Sequence, residues 1–95
     1  MAVPVINITY HSTDIISDEF GETTCTVKFQ SDTSLLEWEA RAGGTGHGSG
    51  ELVGSGGNES SNTDVEFTVD YTELTQGDGT YTIYVYGRNE EGWSG

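Results

Sequence analysis

The chain of 95 residues has little of several things, and each shortage removes a class of explanation. It holds one cysteine, Cys25, so no disulfide can form within it and packing alone must hold the fold. It holds three basic residues, Lys28, Arg41 and Arg88, against 16 acidic ones, for a net charge of −13. A phosphate backbone or an anionic lipid surface would be repelled from such a molecule, so neither nucleic acid nor membrane is expected as a partner. Its apolar runs are only a few residues long, which leaves no membrane-spanning segment and no visible signal peptide. Only two histidines, His11 and His47, are available for a transition-metal site, and no Cys or His spacing supplies a third ligand.

What is present is alternation. Residues 23–30 place Cys25, Val27 and Phe29 on one face against Thr24, Thr26, Lys28 and Gln30, the two-residue period of a half-buried strand. Residues 3–10 read as a first strand with Ile6, Ile8 and Tyr10 on one face, and Pro4 confines it to an edge or a strand start. Segment 13–23 suits a short strand piece and a turn at Gly21, with Ile15 closing the core. In 35–42, Leu36, Trp38, Ala40 and Ala42 take one face and Leu35, Glu37, Glu39 and Arg41 the other. Helix competes there on propensity, but eight residues between a turn and a glycine run are short for one.

Eight of the fifteen residues in 43–57 are glycine, which suggests a mobile hairpin or wide loop with a weak strand at 51–53. Val65, Phe67, Val69 and Tyr71 then alternate with acidic and hydroxyl residues, and after a turn at 76–79, Tyr81, Ile83, Val85 and Gly87 oppose Thr82, Tyr84, Tyr86 and Arg88. The turn 89–92 leaves only Trp93, Ser94 and Gly95, so the last strand is short or missing. Six to seven short strands with regular turn signals predict one all-β domain over 1–95, an antiparallel two-sheet sandwich.

The segment from Gly79 to Ser94, with Tyr81 opening an aliphatic strand and Asn89-Glu90-Glu91-Gly92 closing it, resembles the last third of a fibronectin type III domain. Leu74 resembles the leucine that precedes that family's tyrosine corner. The likeness is looser over 1–42, where Phe29 falls near the family's usual tryptophan, and the glycine-rich segment departs from the pattern. Leu36-Glu37-Trp38-Glu39-Ala40-Arg41-Ala42-Gly43-Gly44 and Gly48-Ser49-Gly50-Glu51-Leu52-Val53-Gly54 also look like immunoglobulin-like modules in phage and prophage tail and virion proteins. The resemblance implies an immunoglobulin-like or fibronectin type III-like module with no catalytic residues, located on a virion, a tail or the bacterial cell surface. Its partners would be neighbouring domains of the same protein and a host cell-surface glycan or protein. An edge left by the short last strand, either unpaired or covered by the N-terminal segment, would then mark a fragment of a longer chain.

Candidate chemistry is thin. The glycine run lacks the Lys and Ser or Thr of a phosphate loop, and no G-x-S-x-G elbow occurs. Asp14, Asp18, Glu19 and Glu22 cluster, with Asp78 at another turn. They form no EF-hand loop, so the reading is no cofactor, with calcium as the open alternative. Two N-x-S/T sequons start at Asn7 and Asn58. For partner binding, the expected surface is the outward row Tyr84, Tyr86 and Arg88 beside Glu37, Glu39 and Arg41, with Trp93 and His47 as further candidates. Aromatics with one arginine are what recognition surfaces favour, and cross-strand stabilisation is the competing use.

Overall fold

A computed structural model describes residues 2–13, 16, 23–74 and 81–94. Seven strands occur among them: β1 (Ile6–His11), β2 (Thr24–Ser31), β3 (Glu37–Ala42), β4 (Glu51–Gly56), β5 (Val65–Asp70), β6 (Ile83–Asn89) and β7 (Gly92–Trp93), with one 3-10 turn at Tyr71–Glu73. They form two antiparallel sheets, β1-β2-β5 and β4-β3-β6-β7. The expected two-sheet sandwich is therefore the architecture. Ile15, the turns at Gly21 and 76–79, and the acidic residues Asp14, Asp18, Glu19, Glu22 and Asp78 lie outside the described residues.

The inward rows of the sequence pattern become the core. Val27 and Phe29 of β2 and Val65, Phe67 and Val69 of β5 meet Trp38, Ala40 and Ala42 of β3, Val53 of β4 and Val85 of β6. Cys25 is half-buried at the margin, its thiol donating to the Thr13 carbonyl at 3.3 Å. At the centre stand three rings. Phe29, fully buried, meets Trp38 edge-on at 5.1 Å, and Phe67 lies 5.5 Å from Trp38 and 6.2 Å from Phe29. Such pairs contribute about 0.5 to 1.5 kcal/mol each beyond the apolar area they bury, and here they join the two sheets. The indole N–H of Trp38 donates to Glu59 Oε2 at 3.3 Å, so the large ring is buried with its polar atom satisfied.

Glycine makes room for this indole. A Cβ at Gly56, opposite Trp38 in the β3–β4 ladder, would collide with the indole nitrogen, and one at Gly54 would press on Phe67 at 3.1 Å. The segment expected to be a mobile loop with a weak strand at 51–53 is thus a full six-residue β4, because its glycines are a fitted surface for Trp38.

Three expectations need correction. Leu35 is buried and Leu36 exposed, the reverse of the predicted alternation: Leu36 N–H donates to the Arg88 carbonyl while Glu37 holds the ladder position opposite Arg88, and Leu35 forms a separate bridge to Glu59. Ile6 packs on the core, but Ile8 and Tyr10 are exposed. A register shift between Ile8 and Tyr10 carries Tyr10 opposite Lys28, whose ammonium lies 5.4 Å from the ring. Tyr71 leaves the β5 row for the 3-10 turn and is exposed. Tyr86 faces outward as the sequence pattern sets it, opposite Glu39, yet is only 5% exposed. The last strand, expected short or missing, is a two-residue ladder, Trp93 opposite Arg88 and Gly92 opposite Asn89.

Overpacking a fitted core position costs about 1 to 3 kcal/mol. Gly56→Ala is therefore expected to lower the urea midpoint of unfolding by that equivalent, whereas Gly57→Ala, which meets nothing within 4 Å, changes stability by no more than roughly 0.5 kcal/mol. Equal effects at the two positions would refute the fitted-surface account.

Candidate functional site

All five residues singled out for partner binding fall on or over one surface, the outer face of the four-stranded sheet. Cross-strand register sets Glu37 opposite Arg88, Glu39 opposite Tyr86 and Arg41 opposite Tyr84, so β3 and β6 present a carboxylate–arginine–tyrosine lattice. Arg88 Nη2 bonds Glu37 Oε2 at 2.9 Å at the exposed margin. The rings of Tyr84 and Tyr86 stack with centroids 6.3 Å apart. Trp93 reaches this face from β7, since residues directly opposite in a ladder share a face and Trp93 opposes Arg88.

Glu39 is the hub, buried at 8% exposure although the sequence pattern set it outward. Arg41 grips it with two bonds, Nε to Oε2 at 2.8 Å and Nη2 to Oε1 at 3.3 Å, and the Gly48 N–H adds a third at 2.9 Å. His47 Nε2 lies 3.5 Å from Oε1. Hydrogen bonding from Arg41 is the largest influence on this carboxyl and holds it below the ordinary carboxylate range; burial opposes the shift, and the Gly48 N–H and the Arg41 charge reinforce it. Arg41 is raised in return by its bond to Glu39. Burial pushes the Tyr86 phenol up, with smaller contributions from Tyr84 and Glu39.

The bonds to Glu39 require the β3–β4 connection to fold back over the sheet. Glycine permits this: Gly43, Gly44, Gly48 and Gly50 all have positive φ, and a Cβ at Gly50 would strike the Gly43 carbonyl at 2.5 Å. The Ser49 hydroxyl accepts from the Thr45 N–H at 3.2 Å, and Arg41 Nη1 donates to the Gly50 carbonyl at 3.3 Å. His47 is thereby laid flat on Trp93, with centroids 3.7 Å apart and ring planes 16° from parallel. Tyr86 is buried on this face with Tyr84 stacked beside it and Glu39 opposite it.

The site thus differs from the expected exposed row. Tyr84 stays open at 41% exposure, Arg88 is half-buried in its ion pair, and His47 and Trp93 cover each other. Glu39 is the residue whose role the sequence pattern missed, and its signal was the glycine spacing that lets residues 47 and 48 return to β3. Among the described residues there is no group of three or more His, Cys, Asp or Glu side chains placed to hold a metal ion, and no buried side-chain nitrogen or oxygen lacks a hydrogen-bond partner. No helix among them is long and apolar enough to cross a membrane. No protein-family model, curated protein or solved structure matches this chain.

A carboxylate whose folded pKa is depressed adds stability that is fully present above its unfolded pKa and is lost as pH falls through the folded value. Glu39→Gln should therefore cost about 1.5 to 3 kcal/mol at neutral pH, the range for hydrogen bonds to a charged group. The gap between wild type and variant should narrow steadily below about pH 4.5, the ordinary glutamate value. Denaturant titrations of both proteins across the acid range check this, and a gap independent of pH would contradict it.

Proposed function

We propose that this chain is a non-catalytic structural or adhesion module, one β-sandwich unit of a larger assembly such as a phage tail, a virion or a bacterial surface protein. The observation that carries the reading is the commitment of the polar side chains on its most elaborate face. Glu39 is engaged by Arg41 and Gly48, Arg88 by Glu37, and Trp93 is covered by His47. Groups bound to one another in this way stiffen a sheet and fix a loop. The net charge of −13 serves the same role, since it keeps repeated β modules from pairing edge to edge. The immunoglobulin-like or fibronectin type III-like kinship, and with it an extracellular or virion location, rests on the resemblance of residues 36–44, 48–54 and 79–94.

One observation favours a second reading, a carbohydrate- or protein-binding module: the Tyr84 ring is exposed and stacked in register on Tyr86. A glycan array probed with the labelled domain separates the two. The structural reading expects no saturable binding. Saturable binding that falls at least about tenfold, or about 1.4 kcal/mol, in Tyr84→Ala, with the melting temperature unchanged, would establish recognition in its place.

A further inference from the structure

The connection formed by residues 43–50 carries no apolar side chain: its five glycines are interspersed with Thr45, His47 and Ser49. Its backbone is tied to the sheet by polar contacts, the Gly48 N–H donating to Glu39 Oε2 and the Gly50 carbonyl accepting from Arg41 Nη1. His47 is held differently. Its ring lies flat on the Trp93 indole, with centroids 3.7 Å apart, and its Nε2 lies 3.5 Å from Glu39 Oε1. The imidazole thus fills a seat with an aromatic floor and a carboxylate at the rim. Its side chain is 38% exposed and its chain neighbours are Gly46 and Gly48. Rotation about its own side-chain torsions empties the seat and leaves the Gly48 N–H on Glu39, a motion exposed side chains make readily.

Charge narrows what else fits there. Arg41 and Arg88, two of the three basic residues, stand on this face, each paired with a glutamate, Glu39 or Glu37. The face is balanced by these pairs, while Lys28 alone stands against the other fourteen acidic residues. A cation approaching the seat is therefore attracted by the molecule as a whole and meets no net repulsion from the face. Among flat groups that stack on an indole, a phosphate-bearing base is repelled, and a neutral sugar ring gains nothing from the charge. A guanidinium is planar, stacks on aromatic faces and presents N–H donors to carboxylates in a rigid fork. It reproduces both contacts that His47 makes.

We propose that the Trp93 face occupied by His47 is a docking site for an arginine side chain on a basic segment of a neighbouring protein, with the imidazole as the occupant that the arginine displaces. The proposal deepens the assembly-module reading and rests on it. The guanidinium lies on the indole with Glu39 at its edge, as the imidazole does. Leu52, Arg41 and Tyr84 form one row across the same face, and exposed Leu52 and Tyr84 give the rest of the segment an apolar and aromatic margin to lie against.

The test is an NMR titration of the isotope-labelled domain with a capped five-residue peptide alternating serine and arginine, alongside versions with lysine or uncharged citrulline in place of arginine. Expected are saturable shifts of the Trp93 indole N–H and the His47 ring with the arginine peptide, while the indole N–H of buried Trp38 stays unmoved. The citrulline peptide should bind at least about tenfold more weakly and the lysine peptide about threefold more weakly, since an ammonium has no plane to stack. His47→Ala, which removes the competing occupant, should tighten the arginine peptide about threefold. No shift at Trp93 at millimolar peptide, equal binding of the lysine and arginine peptides, or unchanged or weaker binding by the His47→Ala domain overturns the docking site. Those failures leave the module reading standing if the glycan array is silent, whereas Tyr84-dependent glycan binding overturns the module reading itself.

Discussion

The fold depends on the contact between Trp38 of β3 and the two phenylalanines of the opposite sheet. With no intrachain disulfide and only a third of its residues hydrophobic, the chain must join two thin sheets through a few large side chains. Trp38 spans the gap to Phe29 and Phe67, and most other core members are alanine or valine, which fill the space around rings without competing for it. The size of one indole then dictates the composition of its neighbour. β4 carries glycine at 54 and 56 because any side chain there would occupy the volume of the ring.

The same glycine-rich segment works twice. Its second half lies beneath Trp38, and its first half returns residues 47 and 48 to the outer face, where the Gly48 N–H and the Arg41 guanidinium share one buried carboxylate. A buried carboxylate without partners would be costly, and one accepting hydrogen bonds from a guanidinium fork and a backbone N–H is held ionised in a fixed place. Glu39 thereby ties the β3–β4 connection to the sheet, and His47 is carried onto Trp93 of β7. The two ends of the four-stranded sheet, β4 and β7, are linked across its outer face by a loop that has little apolar area of its own.

Local alternation made β2, β5 and β6 legible in the sequence, together with the inward positions of Val27, Phe29, Val65, Phe67, Val69 and Val85, because a two-residue period leaves one assignment of faces. What it hid came from events outside a strand's own period. The exchange of Leu35 and Leu36 follows from a one-residue offset where β3 meets Arg88, and the exposure of Tyr10 from a bulge in β1. Tyr86 does point to the outer face, as alternation requires, and it is buried there among its neighbours, with Tyr84 stacked beside it and Glu39 opposite it in the ladder. Period fixes which side a residue faces; whether that side meets water depends on tertiary contacts that no window of ten residues contains.

The margins of the sheets reflect the same shortage of material. A sandwich built from short strands leaves main-chain groups at its margins, and soluble proteins blunt such margins with proline, with charge or with short strands. This chain uses all three. Pro4 interrupts the N-terminal edge, the net charge of −13 repels identical copies, and β7 covers only two ladder positions of β6. Charge repulsion acts over the distance of a Debye length and discriminates by sign, so it opposes the pairing of identical copies before their main-chain groups come within hydrogen-bonding distance.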